Sequence, residues 1–467
     1  MIGDPVGRAA GRLREAGAGP GRRLALLVEP DPAGAVLILA AARVGGTVSV
    51  LNSRWTGPEL ARVLDLLKPH AMVVGPGVEL PGGFRSGLPG GDPLIRWTHP
   101  ARAREVDPVD PGWSPGRESG RGGGDPAWVL WTSGSTGKPR GIVLSHQAFR
   151  ASARAVGRRL DLRPGDRWLA SLQPAHVGGL ALILRASMLR AGALVLPGSF
   201  DPEEFSRLLD QESVTHASLV PSQLVAVLDA RDDRPFPHRF RGLLLGGAPT
   251  PPPLLERALA AGIPVALTYG MTEAASQVAT APPELVRRKP GVVGPPLEGV
   301  EIQAGSPEEG PGEIRVRSPS LAAGRFRGPD RAPEPLVGED GWLSTGDLGV
   351  VDEDGHLRVV GRLSGRIISG GVNVDPVEVE GVLAAHPGVS EVAVLGLPDS
   401  RWGERVTAVV VPRDAGDPPT LDSLLAHARS RLSAAKRPRG VILVRELPRT
   451  ATGKVDRREL AAMVGGG

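Results

Sequence analysis

Residues 127–141 read AWVLWTSGSTGKPRG, an apolar run of strand length that ends in a glycine- and hydroxyl-rich loop. In the loop, Thr132, Ser133, Gly134, Ser135, Thr136 and Gly137 precede Lys138. Such residues let backbone N–H groups and hydroxyl oxygens approach phosphate oxygens, and the lysine adds a cation. The spacing is not that of a Walker loop, which would need glycine where Thr132 stands and Ser or Thr where Pro139 stands. Pro139 also disfavours helical dihedrals at Lys138, so no helix dipole is expected to point at the bound phosphate.

Outward from this loop, apolar runs alternate with helix-like segments through the first 290 residues. The runs at 22–30, 70–75, 167–172, 193–198, 216–221, 242–247 and 264–270 read as buried strands. Ala35–Val44, Pro58–Leu67, Ser145–Val156 and Pro253–Ala261 carry helical spacing, with Ser145 as an N-cap. This alternation predicts α/β layers with substantially parallel sheets. From about residue 290 the texture changes to short strands and turns, with Asp352–Gly355 (DEDG) as a hairpin turn. Beyond GRLSGR at 361–366 comes a unit of about 100 residues, large enough to fold on its own. Its expected helices are 377–389 and 421–432, and its expected strands 391–398, 404–412 and 441–447.

The chain has 467 residues, 55 basic and 51 acidic, and a pI near 9.9. The high pI follows from one Tyr, no Cys and few Lys, which leave little to titrate above neutrality. No dense basic run with interleaved aromatics is present, so no nucleic-acid partner is expected. Without cysteine there is no disulfide, thiolate metal site or cysteine nucleophile, and an acyl group must leave on another molecule. The N-terminus lacks a signal-peptide core and no apolar run reaches membrane-spanning length, so the expected location is the cytoplasm. Oligomeric state is left open.

Only five lysines occur, at 68, 138, 289, 436 and 454. In so arginine-rich a chain, a retained lysine points to a place that needs a compact, flexible charge. Lys454 lies in the turn of LPRTATGKVDRREL. Tyr269–Glu273 (YGMTE) follows a predicted strand: the lone tyrosine could stack on a purine, Thr272 reach a phosphate and Glu273 its metal. Asp347 in WLSTGD suits a ribose diol, since a carboxylate accepts from both hydroxyls. Taken singly, both motifs are also ordinary turns. The one G-x-S-x-G match, GWSPG at 112–116, follows no strand and carries Pro115 after its serine, against a nucleophile elbow. H-E-x-x-H and a dinucleotide fingerprint are absent.

Together, WTSGSTGKPRG, YGMTE, STGD, GRLSGRIISGG and LPRTATGKVDRREL resemble, in order and spacing, the acyl-adenylate-forming superfamily. The resemblance runs from about residue 22 to the end. Within it, residues 174–193 and the short length look most like the o-succinylbenzoate:CoA ligases of menaquinone biosynthesis. Another aryl- or medium-chain acyl-CoA ligase, or transfer to a separate carrier protein, are the alternatives.

The resemblance implies an α/β fold: a large N-terminal domain (1–361) of two α/β subdomains and a β-rich one, a hinge (362–366) and a small mobile α+β C-terminal domain (367–467). It implies ATP, Mg²⁺ and CoA, with Gly246, Gly247, Ala248 and Pro249 beside adenine, Tyr269 and Gly270 at the adenine-side strand end, and Thr272 on the α-phosphate. Glu273 would bind Mg²⁺, and Asp347 the ribose with help from Arg362. Lys454 would bridge the acid and the α-phosphate. His176 would close the acyl pocket, Arg185 meet a second carboxylate, Gly370 and Gly371 flank a pantetheine channel, and Lys436 meet CoA phosphates. Arg185 lies in an apolar helix, so it is expected either to face solvent or to have an anionic partner. Gly365 departs from the hinge aspartate usual in the family.

Overall fold

The run Leu24–Leu27 is apolar at every position, as suits a strand covered on both faces. In the computed structural model, Leu24 and Leu26 enter one hydrophobic core while Ala25 and Leu27 enter another on the opposite face. The structure describes residues 4–81, 94–97, 105–106, 126–133, 139–189, 192–363, 365, 367–369, 372–399, 402–429, 431–432, 434, 436–450 and 453–465.

Strand Arg23–Leu27 is central to a seven-stranded sheet, pairing in parallel with Thr47–Leu51 and Ala71–Val74. Strand Pro126–Ser133 joins in parallel beside Thr47–Leu51, and the direction then reverses: Pro139–Ser145 runs antiparallel to it. The glycine-rich loop therefore connects two antiparallel strands, and Ser145 begins the next helix, His146–Arg159, accepting from the Ala148 N–H at 3.0 Å.

A second seven-stranded sheet has a parallel centre, Val265–Met271, Gly242–Leu245, His216–Leu219, Arg167–Leu169 and Ala193–Val195. Its edges are the antiparallel Ser276–Ala281 and Glu105–Val106. Helices Pro32–Val44 and Val177–Leu189 are buried nearly all round because they contribute to one core that takes side chains from both sheets. In the second sheet, Leu243 and Leu245 face a separate core while Leu244 faces the shared one.

The β-rich part is an antiparallel sheet ordered Glu301–Gln303, Gly312–Arg317, Leu343–Val351, Leu357–Arg362. Its DEDG hairpin forms as expected, with Asp352 Oδ1 accepting from the Asp354 and His356 N–H groups. Residues 367–464 supply two further cores by themselves, around strands Val389–Asp399 and Gly403–Pro412.

Several expected elements there are shorter than read from the sequence. The helix expected over 377–389 is Pro376–Leu383, because Pro387 and Gly388 follow in a turn. The helix expected to reach 432 ends at Ala428, and the strand expected to reach 447 ends at Leu443. Among the described residues no helix is long and apolar enough to cross a membrane.

Candidate active site

Parallel strands release their chains at one edge of a sheet, and loops there collect functional groups. At this edge of the second sheet, Gly242–Leu245 leads into Gly246, Gly247, Ala248 and Pro249. A Cβ on Gly246 would lie 2.5 Å from Thr268 Cγ2, so this backbone passes close against the neighbouring strand. Strand Val265–Met271 carries Tyr269 and Gly270, and Thr272–Ala274 follow as one 3₁₀ turn. Gly270 is required: a Cβ there would lie 2.0 Å from the Ser276 carbonyl oxygen, across a hairpin with a bulge at Tyr269/Gly270.

The β-rich sheet meets this edge. Asp347, buried, accepts from the Tyr269 hydroxyl through Oδ2 at 2.7 Å and pairs through Oδ1 with Arg362 Nε at 2.7 Å. Asp347 and Arg362 are register partners of adjacent strands, which fixes the pair. Burial first, and then the Asp347 charge, push the Tyr269 phenol far above its ordinary range, so it stays a neutral donor. Glu273 is half-buried; its carbonyl accepts from the Ala322 N–H at 2.8 Å, and its carboxylate has no salt bridge among the described residues.

Lys454 reaches the same place from the far end of the chain. Its turn is tied by Thr450 N–H to the Lys454 carbonyl and by Arg449 Nη1 to the Gly453 carbonyl. The following helix, Arg457–Gly465, is anchored through Arg457, which donates to Glu380 Oε1 at 2.6 Å and to the Val394 carbonyl at 2.8 Å. A Cβ on Gly453 would stand 3.7 Å from Ser222 Oγ, so the turn abuts helix Pro221–Arg231. Lys454 is exposed as a residue. Desolvation first, and then the Arg362 guanidinium, pull its pKa below the ordinary lysine value, against Asp347, which raises it.

His176 precedes helix Val177–Leu189, and its carbonyl accepts from the Leu180 N–H. Its Nε2 is buried without a partner among the described residues. Burial, then the Lys454 and Arg54 cations, bring its pKa down to about 4, so the imidazole is neutral at pH 7. Lys454 therefore lies within electrostatic reach of Asp347 and Arg362 on one side and of His176 on the other.

Of the two expectations for Arg185, exposure to solvent fails. It is only 4% exposed, so it does not face solvent, and no acid among the described residues pairs with it. Its Nε and Nη1 have no partner, and burial alone lowers its pKa to about 10. Ser171, Gln173 Oε1, His176 and Ser187 on the same segment are further buried polar groups without a partner among the described residues. Native interiors pair nearly all such groups, so this segment has polar capacity that a ligand could meet.

Thr132 and Ser133 end strand Pro126–Ser133. Gly134, Ser135, Thr136, Gly137, Lys138, Gly370 and Gly371 lie outside the described residues, as does the GWSPG stretch. Lys436, expected near CoA phosphates, donates to both oxygens of Glu378 at 2.7 Å. Sequence reasoning missed Trp168, beside Arg185, and the Gln173–Glu29 hydrogen bond of 2.8 Å that braces the His176 segment. The first joins a strand to the next helix through a ring face and the second joins elements 144 positions apart, and neither leaves a local pattern.

The AMP-binding enzyme family matches residues 3–325, and the AMP-binding enzyme C-terminal domain matches residues 378–454. A 2-succinylbenzoate–CoA ligase of Bacillus cytotoxicus is 39% identical over 341 residues, 72% of this chain and 70% of that protein. Among solved structures, o-succinylbenzoate CoA synthetase (MenE) from Bacillus subtilis, in complex with the acyl-adenylate intermediate OSB-AMP, superposes with a TM-score of 0.82. It is 29% identical, covering 98% of this chain and 91% of that one. The amide bond synthetase McbA from Marinactinospora thermotolerans reaches a TM-score of 0.83 at 30% identity, over 98% and 93%.

Proposed function

The chain belongs to the AMP-binding enzyme family, and from that footing we propose that it is an ATP-dependent acid:CoA ligase acting on o-succinylbenzoate, in menaquinone biosynthesis. The fold alone does not select the acid, since structures of different activity superpose equally well. The observation that carries the choice is Arg185, a buried guanidinium without an acid partner among the described residues, on the helix that follows His176. Such a charge is costly unless a ligand supplies the anion, and the second carboxylate of a dicarboxylic acid does so.

A carboxylate is a weak nucleophile and is repelled by the phosphates of ATP. Lys454 supports the first half-reaction by bridging the acid and the α-phosphate, a role supported by its electrostatic influence on His176 and the influence of Asp347 and Arg362 on it. We assign Asp347 to the ribose hydroxyls with Arg362 assisting, and Tyr269 with Gly246, Gly247, Ala248 and Pro249 to the adenine. Thr272 serves the α-phosphate, and Thr132 to Lys138 the departing pyrophosphate. Glu273, on a turn beside these groups and with no salt bridge among the described residues, would hold the Mg²⁺ ion. When bound, the ion neutralises phosphate charge. Neutral His176 closes the acyl pocket without adding charge.

The acyl-adenylate then meets a thiol that this cysteine-free chain cannot supply, which is the role of CoA. The assigned division is 1–361 and 367–467, with rotation at 362–366 withdrawing Lys454. Gly370 and Gly371 would come to the pantetheine channel, and Lys436 would exchange Glu378 for CoA phosphate. The enzyme acts on small molecules in the cytoplasm, without nucleic acid.

The test is product identity. With o-succinylbenzoate and Mg·ATP alone, mass spectrometry should show the acyl-adenylate, and added CoA should convert it to the thioester and AMP. Formation of ADP in place of AMP and pyrophosphate would contradict the reading.

A further inference from the structure

Among the described residues no acid pairs with the Arg185 guanidinium, yet a recognition charge must be held in one place. The contact that holds it is aromatic: its Cζ lies 5.6 Å from the ring centroid of Trp168. A desolvated arginine on an indole face gains most from such a contact. Trp168 is buried and doubly fixed. Its Nε1 donates to Ser218 Oγ at 3.2 Å, and its ring stacks on His216 with centroids 5.0 Å apart and planes 17° from parallel. His216 is seated in turn by Thr215 Oγ1, 2.9 Å from its Nδ1. The indole also borders a cavity of about 390 Å³ that His216, Leu244 and Ala266 help to line. Packing therefore does not enclose the ring on every side, and its orientation depends on the hydrogen bond and the stack.

We propose that Trp168 is a specificity-determining positioning residue, whose ring, fixed by Ser218 and His216, holds the Arg185 guanidinium in place for the distal carboxylate of a dicarboxylic acid. This rests on the reading of Arg185 given above. The device separates binding of the second carboxylate from the chemistry: Trp168 acts through Arg185 and touches neither nucleotide nor reacting carboxylate.

Steady-state kinetics of Trp168→Phe, Trp168→Leu and Arg185→Met, with o-succinylbenzoate and its one-carboxylate analogue 4-oxo-4-phenylbutanoate, test it. Phe keeps an aromatic face, whereas Leu keeps only apolar bulk. Trp168→Leu should raise KM for the dicarboxylate about tenfold with kcat nearly unchanged, and Trp168→Phe by less than about threefold. Neither should move KM for the analogue. If Trp168→Leu does not fold, Ser218→Ala, which frees the indole and leaves the core filled, should raise the dicarboxylate KM about threefold. If Arg185→Met abolishes the preference for two carboxylates while the Trp168 and Ser218 variants leave it intact, the positioning role is overturned and the Arg185 reading stands. If Arg185→Met leaves the preference intact, both fall.

Discussion

The Tyr269 hydroxyl donates to Asp347 Oδ2 at 2.7 Å, joining two residues 78 positions apart on different sheets. Arg362 holds the other carboxylate oxygen. Asp347 thus has both oxygens oriented and lone pairs left to accept from a diol. Removing the carboxylate and removing its support should differ. Asp347→Ala is expected to raise KM for ATP by about tenfold or more, the worth of charge-assisted hydrogen bonds. Tyr269→Phe, which loses one neutral donor, should raise it by less than about tenfold. Equal effects would mean that Asp347 serves the hydroxyl rather than the nucleotide.

Lys454→Ala should slow adenylate formation by about 10²-fold or more, the scale of losing one electrostatic stabiliser. Thioester formation from supplied acyl-adenylate should be spared, since the proposed rotation withdraws the lysine before that step. Single-turnover measurement of the two halves separates them; an unchanged adenylation rate would remove Lys454 from the chemistry.

Gly365 has φ +127°, a backbone conformation L-residues rarely adopt, although nothing lies within 4 Å of where its Cβ would be. The obstacle to substitution is therefore conformational and belongs to the arrangement seen here, with Lys454 in the cleft. Gly365→Ala should cost about 1–3 kcal/mol in that arrangement and slow adenylation about tenfold, leaving the thioester half nearly unchanged. Equal slowing of both halves would contradict a hinge at this position.

Burial brings both His176 and His216 to about 4, against 6.5 for an ordinary histidine. For His216, Asp166 opposes the burial and Arg241 adds to it. Between pH 6.5 and 4 the unfolded chain binds protons that the folded chain does not. Stability from these groups is therefore fully present above pH 6.5 and is lost as pH falls towards 4, at up to about 1.4 kcal/mol per pH unit for each histidine. Urea midpoints should drop between pH 7.5 and 5.5, and His216→Gln should shrink that drop. A midpoint insensitive to pH over this range would contradict the buried, neutral histidines.

The features legible in the sequence were those with a local cause. Leu24–Leu27 is apolar throughout, Ser145 caps its helix within three residues, and DEDG closes a hairpin on itself. Strand Ser276–Ala281 escaped notice because SQVATA is small and partly polar although wholly buried, and because positive φ at Ala275 and Ser276 marks no recognisable turn residue. The site was legible as separate motifs. What joins them was not: the Tyr269–Asp347 hydrogen bond, the Trp168–Arg185 contact and the influence of the Lys454 charge on His176 all arise from tertiary packing. The Lys436–Glu378 pair, 58 positions apart, likewise has no short-range pattern.

Pyrophosphate release from Mg·ATP with o-succinylbenzoate, benzoate or a medium-chain fatty acid, each with and without CoA, in the wild type and in Arg185→Ala, tests the central claim most directly. The account predicts turnover with the dicarboxylate that Arg185→Ala abolishes or greatly weakens, and little with either monocarboxylate. Preferred turnover of the monocarboxylates, unaffected by Arg185→Ala, would contradict it.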